Sequence, residues 1–216
     1  MQRSLAPEIM DDPQVPEHVR ERFHHQLGFI QRLLGTHRAV LDALRSDAHP
    51  VRRVLDIGCG YGALLDEIRR ALRVDVVGAE LRAPRCNDLG IPIIEADATR
   101  DRLPDADVAV CVLVLHHLGE EEIVALVRNA GRSVRRFIAM DLVRHWLPMA
   151  LFTAFLSPLL MREVAADGRQ SIRRAYTAAE LRAIVERAVA GTGARVVHTV
   201  TPLRSRQTID IVWVEA

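Results

Sequence analysis

The feature that most constrains this chain is the nonapeptide Val54-Leu55-Asp56-Ile57-Gly58-Cys59-Gly60-Tyr61-Gly62. It follows Arg52 and Arg53 and runs into Ala63-Leu64-Leu65-Asp66-Glu67-Ile68-Arg69-Arg70, whose apolar residues recur at helical spacing. The pattern reads as a buried strand, a glycine-rich turn and the opening of a helix. Glycine suits such a turn because the backbone must bend sharply and a ligand can then approach it without meeting a Cβ. On a strand–turn–helix the ligand is usually a nucleotide lying over the helix N-terminus.

Gly58, Gly60 and Ala63 formally satisfy a dinucleotide pattern, so the glycines alone do not choose the nucleotide. Asp56 discriminates further. A carboxylate two residues before the first glycine repels a pyrophosphate and attracts a cation. S-adenosylmethionine (SAM) carries an ammonium and a sulfonium and no phosphate. The nonapeptide resembles motif I of the class I SAM-dependent methyltransferases, (D/E)-x-G-x-G-x-G, at every fixed position, which implies contacts to SAM from Asp56, Gly58, Gly60 and Gly62.

Composition narrows the field. At 216 residues the chain suits one α/β domain with a sizeable core. Its net charge of +1 gives no ground for a nucleic-acid partner. All 29 basic residues are arginine, which removes Schiff-base chemistry and a Walker-type phosphate lysine. Cys59, Cys86 and Cys111 form no C-x-x-C pair and have no zinc spacing, in keeping with a reducing cytosol. The first residues lack the apolar core of a signal peptide, and the expected location is cytoplasmic.

Taken in order, residues 1–16 hold three prolines among acids and read as an extended or loosely ordered arm. From Glu17 to about Ser46 apolar residues recur at helical spacing, divided near Gly35-Thr36, in a segment fit either to roof a cleft or to cover the core. His24 and His25 fall here and read as a solvated face. Residues 1–50 thus form an N-terminal arm and helices, and residues 51–216 the SAM-binding domain. Glu80 ends a second strand 22 residues beyond Gly58, where a carboxylate can accept from both ribose hydroxyls. After a short third strand, Ile91–Ala96, come Asp97 and Ala98. The methyltransferase resemblance implies Asp97 on the adenine amino group, with Leu81 packed on the ring.

Asp107–Leu113 is a continuous apolar run, read as a strand buried on both faces, and it leads to Leu115-His116-His117-Leu118. This L-H-H-L is similar to small-molecule methyltransferases of the ubiquinone/menaquinone-biosynthesis type, within the methyltransferase type 11 group. Where those often have a polar residue, this chain has Val112, whose backbone would serve the methionine moiety. His116 and His117 fall at the sheet's C-terminal edge, where either could act as a general base, and Asp141 ends the fifth strand at the same edge.

Trp146–Met161 is sixteen residues without charge, too short to span a bilayer and broken by two prolines. It reads as an inserted lid, partly buried, within an insert over 142–175 whose polar, arginine-rich second half reads as a loop. The insert and the N-terminal helices look like those of bacterial methyltransferases for phenolic polyketide or quinone-like compounds. Thr177-Ala178-Ala179-Glu180 is a capping box opening a helix, and two closing strands follow across Pro202–Gln207.

The expected fold is therefore α/β: a Rossmann-like, seven-stranded, mostly parallel sheet with covering helices, an N-terminal helical segment and a helical lid insert. The expected activity is methyl transfer from SAM to a small apolar, hydroxylated acceptor, phenolic or quinol-like. Neither a metal, a nucleic-acid partner nor stable membrane insertion is expected; the chain has no Asp/Asp-Asn set like that of the metal-dependent catechol-type enzymes. An NAD(P)-dependent reductase and a non-catalytic SAM-binding domain are the alternatives. The reductase must explain Asp56 beside a pyrophosphate.

Overall fold

The computed structural model describes residues 1–12, 14–84 and 88–213. Pro13, Cys86 and Val214, which entered the sequence reading, lie outside them. Seven strands form one sheet: β1 (Arg53–Ile57), β2 (Asp75–Glu80), β3 (Ile93–Glu95), β4 (Val108–Val112), β5 (Arg136–Leu142), β6 (Arg195–Val200) and β7 (Arg206–Val212). Their order is β3-β2-β1-β4-β5-β7-β6, parallel except for β7, which runs antiparallel to both β5 and β6. The predicted closing pair is a hairpin, with β7 starting two residues earlier than Thr208.

Alternation along the strands builds two cores. Val54, Val76, Val108, Val110 and Ile138 point to one face, where α2 (Thr36–Arg45) and α3 (Ala63–Leu72) supply Leu44, Leu65 and Ile68. Leu55, Ile57, Val77, Ala109 and Phe137 point to the other, against α4 (Glu120–Ala130) and α7 (Ala178–Val189). Central strands buried on both sides account for apolar runs without alternation. Each fully buried large side chain is worth about 1.5–3 kcal/mol, so β1 and β4 are fixed firmly in register. The chain leaves β1 toward β2 and β3, then crosses back to β4. That reversal opens a crevice at the C-terminal ends of β1 and β4, where open α/β sheets bind ligands.

Helix α1 (Glu17–Leu33) breaks at Leu34-Gly35, with Gly35 in the left-handed region at φ 69°, and α2 follows at the expected place. The predicted capping box at α7 is present, with Thr177 Oγ1 accepting from the Glu180 amide and Glu180 Oε2 accepting from the Thr177 amide.

Two expectations fail. The polar stretch after Met161 is a helix, α6 (Arg162–Arg174), rather than a loop. Val164, Ala165, Ser171 and Ile172 give it a buried face that its arginines hide from a composition-based reading. The N-terminal arm is also fixed in place. Asp167 of α6 accepts from the amides of Ile9 (2.8 Å) and Met10 (3.1 Å), and Arg3 lies over the Tyr176 ring while donating to the Leu118 carbonyl. These partners are distant in sequence, so composition could not reveal them.

The uncharged segment forms α5 (Trp146–Leu151), then a π turn and a 3₁₀ turn that contains Pro158. Only part of it faces inward. Phe152 fills the space a Cβ on Gly168 would need, whereas Trp146 and Phe155 are 64% and 69% exposed. Among the described residues no helix is long and apolar enough to cross a membrane.

Candidate active site

The glycine turn has the close approaches its composition promised. Gly58 adopts φ 75°, and a Cβ there would lie 2.3 Å from Val114 Cγ2. Gly60 adopts φ 53°, and its Cβ would meet His24 Nδ1 at 2.8 Å. Thus α1 roofs the loop. His24 is packed against it and against Tyr61, correcting the solvated-face expectation, while His25 remains exposed. Desolvation first, then Arg20, lowers the His24 pKa to about 4. Gly62 differs from its neighbours: at φ 81° it turns the chain into α3 and does not line the cleft.

Two acids bracket this loop. Asp56, next to last in β1, is 3% exposed and accepts no hydrogen bond from the described residues. Burial, with the Glu80 charge added, pushes its pKa well above the carboxylate range. Glu80 ends β2, its Oε2 accepting from the Gly60 amide (2.8 Å) and its Oε1 from the Leu81 amide (3.0 Å). Desolvation outweighs those bonds, and its pKa is also raised. Two desolvated carboxylates beside a bare backbone turn make a site poised for a cation and for hydroxyl donors.

Asp97 is held differently. Its Oδ1 accepts from the Thr99 hydroxyl and amide, its Oδ2 pairs with Arg100 at 3.1 Å, and its pKa is lowered, chiefly by the Thr99 hydroxyl. It still lines the same cleft, as do Ala98, Leu81 at the exposed rim and Val112 at the end of β4. Just past Val112, Leu113 takes φ 59°, a conformation L side chains rarely adopt and one that recurs where strain serves a site.

A cavity of about 580 Å³ runs from this turn to the far side of β4, where it meets the two histidines. His116 is buried, and Asp141 clamps it twice: Oδ1 lies 2.7 Å from the ring Nδ1, and Oδ2 accepts from the His116 amide at 3.0 Å. Burial pushes the Asp141 pKa up, but the His116 imidazole and the surrounding N–H groups pull it below the ordinary value. With Nδ1 on Asp141, Nε2 of His116 faces Glu8, 3.6 Å from Oε1. The His117 ring stacks at 4.2 Å, with Nδ1 on Asp11 (3.1 Å) and Nε2 toward Glu8 Oε2 (3.9 Å).

Glu8 is the candidate residue at this edge that sequence reasoning missed. It sits on the arm, is buried, and its Oε1 has no hydrogen-bond partner. Desolvation raises its pKa to about 7 against the pull of His117, Ser171 and Arg174. The ligand atoms of Glu8, His116 and His117 lie within 4.8 Å of one another, a spacing a divalent cation could also use. The expectation of no metal took no account of Glu8. A run of prolines and acids offers no signal that one glutamate reaches the histidine pair.

The predicted residues thus converge on one cleft, Gly62 excepted. Residues 54–136 match the family model described as a methyltransferase domain. The fold resembles the plantazolicin methyltransferase BpumL, solved with a monoazolic desmethyl analog and S-adenosylhomocysteine (TM-score 0.73, 14% identity, covering 95% of this chain and 92% of that one). It also resembles human N-acetylserotonin methyltransferase in complex with SAM (0.67, 16%, 99% and 63%). A third neighbour is the magnesium protoporphyrin IX methyltransferase ChlM from Synechocystis PCC 6803 (0.58, 20%, 87% and 84%). No curated protein sequence matches the chain. The match over 54–136 carries the Asp56–Gly62 turn and describes that stretch as a methyltransferase domain, and the fold around it is that of the SAM-dependent methyltransferases it resembles, which favours methyl transfer over the reductase alternative.

Proposed function

We propose that the chain transfers the methyl group of SAM to a hydroxyl of a small, largely apolar acceptor of phenolic or quinol-like class. In this reading Asp56 takes the ammonium of the methionine moiety, directly or through water, and Glu80 the ribose diol. Asp97 and Leu81 hold the adenine, Ala98 adjoins it, and Gly58, Gly60 and the Val112 backbone line the methionine path. The structural neighbours' names span plantazolicin, N-acetylserotonin and magnesium protoporphyrin IX, so the choice of acceptor rests with this chain's own residues.

The observation that carries the reading is the Asp141–His116 pair in the same cavity as the Asp56–Glu80 loop. Methyl transfer from a sulfonium is an in-line displacement: the acceptor oxygen bonds to the methyl carbon as the carbon–sulfur bond breaks, leaving S-adenosylhomocysteine. Holding the two reactants aligned in a dry cleft supplies most of the acceleration. A phenol also loses a proton. His116, oriented through Nδ1 by Asp141, presents Nε2 to receive it, and His117 and Glu8 complete that edge.

Turnover of SAM on a panel of phenols and quinols, with the methylated product identified, tests the proposal. Binding of SAM with no product from any member would leave the non-catalytic SAM-binding alternative. A second reading follows from the Glu8–His116–His117 spacing: a bound divalent ion would activate the acceptor oxygen instead. Under the His116 reading, chelator-treated protein keeps its rate. Loss of activity restored by one divalent ion moves the role to a metal.

A further inference from the structure

Arg206 opens β7 and pairs with Leu142, the last residue of β5, at the C-terminal edge of the sheet. Its side chain lines the same cavity, with Leu142, Phe152 and Ser205 among its neighbours in the lining. Three observations make it unusual. Nη1 donates to Thr36 Oγ1 at 3.2 Å, and that is its only side-chain hydrogen bond among the described residues. Nε is buried with no partner. No carboxylate of the described residues forms an ion pair with it, and burial alone, with no compensating acid, lowers its pKa. The buried arginines among the described residues are matched: Arg136 bridges Asp47 and Asp210, and Arg144 holds Glu180 through both oxygens.

A half-buried guanidinium without a counter-ion is costly, and a charge-assisted hydrogen bond to a carboxylate offsets that cost. With Nη1 on Thr36 and Nε enclosed, Nη2 is the nitrogen left to meet a ligand. We propose that Arg206 binds a carboxylate on the acceptor, so that the substrate is an aromatic or alkyl hydroxy acid anchored at the edge remote from the cofactor turn. The location favours the acceptor over the cofactor's own carboxylate. Strand β7 lies three positions from β1 in the sheet, roughly 14 Å at about 4.8 Å per strand, beyond β4 and β5. The inference rests on the methyl-transfer reading for which molecule occupies this end of the cavity.

The test measures calorimetric binding of 4-hydroxybenzoate and 4-hydroxybenzamide to the full chain saturated with S-adenosylhomocysteine. Wild type should prefer the carboxylate by about tenfold or more, as expected for a charge-assisted hydrogen-bonded pair. Arg206→Gln should abolish the preference and Arg206→Lys should retain part of it. Equal affinities, no binding of the carboxylate, or a preference that survives Arg206→Gln would overturn the proposal. A separate arm compares S-adenosylhomocysteine with methylthioadenosine, which lacks the amino-acid moiety. If Arg206→Gln weakens only the former, the anion is the cofactor's and the acceptor assignment is wrong. Failure of wild type to bind S-adenosylhomocysteine would instead count against the methyl-transfer reading.

Discussion

The two ends of the cavity are built in opposite ways. The β1–β2 end comes from one continuous stretch, Asp56 to Leu81, whose two acids, Asp56 buried and Glu80 half-buried, have no ion pair among the described residues. The β4–β7 end is assembled from the arm, the strand ends, α6 and the hairpin, and its charges are heavily cross-linked: Asp141 to His116, Asp11 to His117 and Arg174, Asp167 to the arm. One end is an open demand for positive charge and hydroxyl donors; the other is a rigid frame that orients one histidine. Binding and chemistry should therefore separate by mutation.

The largest effect should come at the framed end. His116→Gln should lower kcat about a hundred- to ten-thousand-fold while S-adenosylhomocysteine affinity stays within about twofold of wild type. Full activity in both His116→Gln and His117→Gln would mean that alignment alone does the work. At the open end the pattern should invert. Asp56→Asn and Glu80→Ala should each weaken S-adenosylhomocysteine about ten- to a hundred-fold, an effect of about 1.5–3 kcal/mol, with the melting temperature little changed. Unchanged binding in both variants would remove the contrast between the two ends.

That contrast also explains what could be read from the sequence. The turn, Glu80 and the strand pattern are local: spacing along the chain fixes their positions in space. Glu8, Arg206 and the tethering of the arm by Asp167 are contacts across most of the chain's length, and no periodicity encodes them. The α6 helix was masked by its arginines, and His24 was misread because a helix face looks solvated until its partner, Gly60, is known. Gly62, by contrast, is a motif position whose left-handed conformation opens α3.

Smaller effects sharpen the boundary between lid and surface. Phe152→Ala should raise the acceptor's KM more than that of SAM, increasingly for longer alkyl chains at about 0.8 kcal/mol per buried methylene. Phe155→Ala, at an exposed position, should leave both unchanged. A gentler probe is pH. The folded pKa of His24, about 4, lies below the unfolded value near 6.5, so the unfolded chain binds the proton first. The contribution of neutral His24 is whole above pH 6.5 and is lost progressively as pH falls toward 4. Chemical denaturation across that window should decline less steeply in His24→Gln than in wild type.

In the proposed function Asp56 meets the ammonium of SAM and Glu80 its ribose hydroxyls. Burial raises both pKa values, with the Glu80 charge adding to the shift of Asp56, and a bound ammonium and sulfonium oppose that rise. Titration of SAM into the protein at pH 6 in two buffers of different ionisation enthalpy measures the protons exchanged on binding. Net proton release in wild type that falls in Asp56→Asn is the expected result; binding with no proton release, or release identical in the variant, would contradict the account.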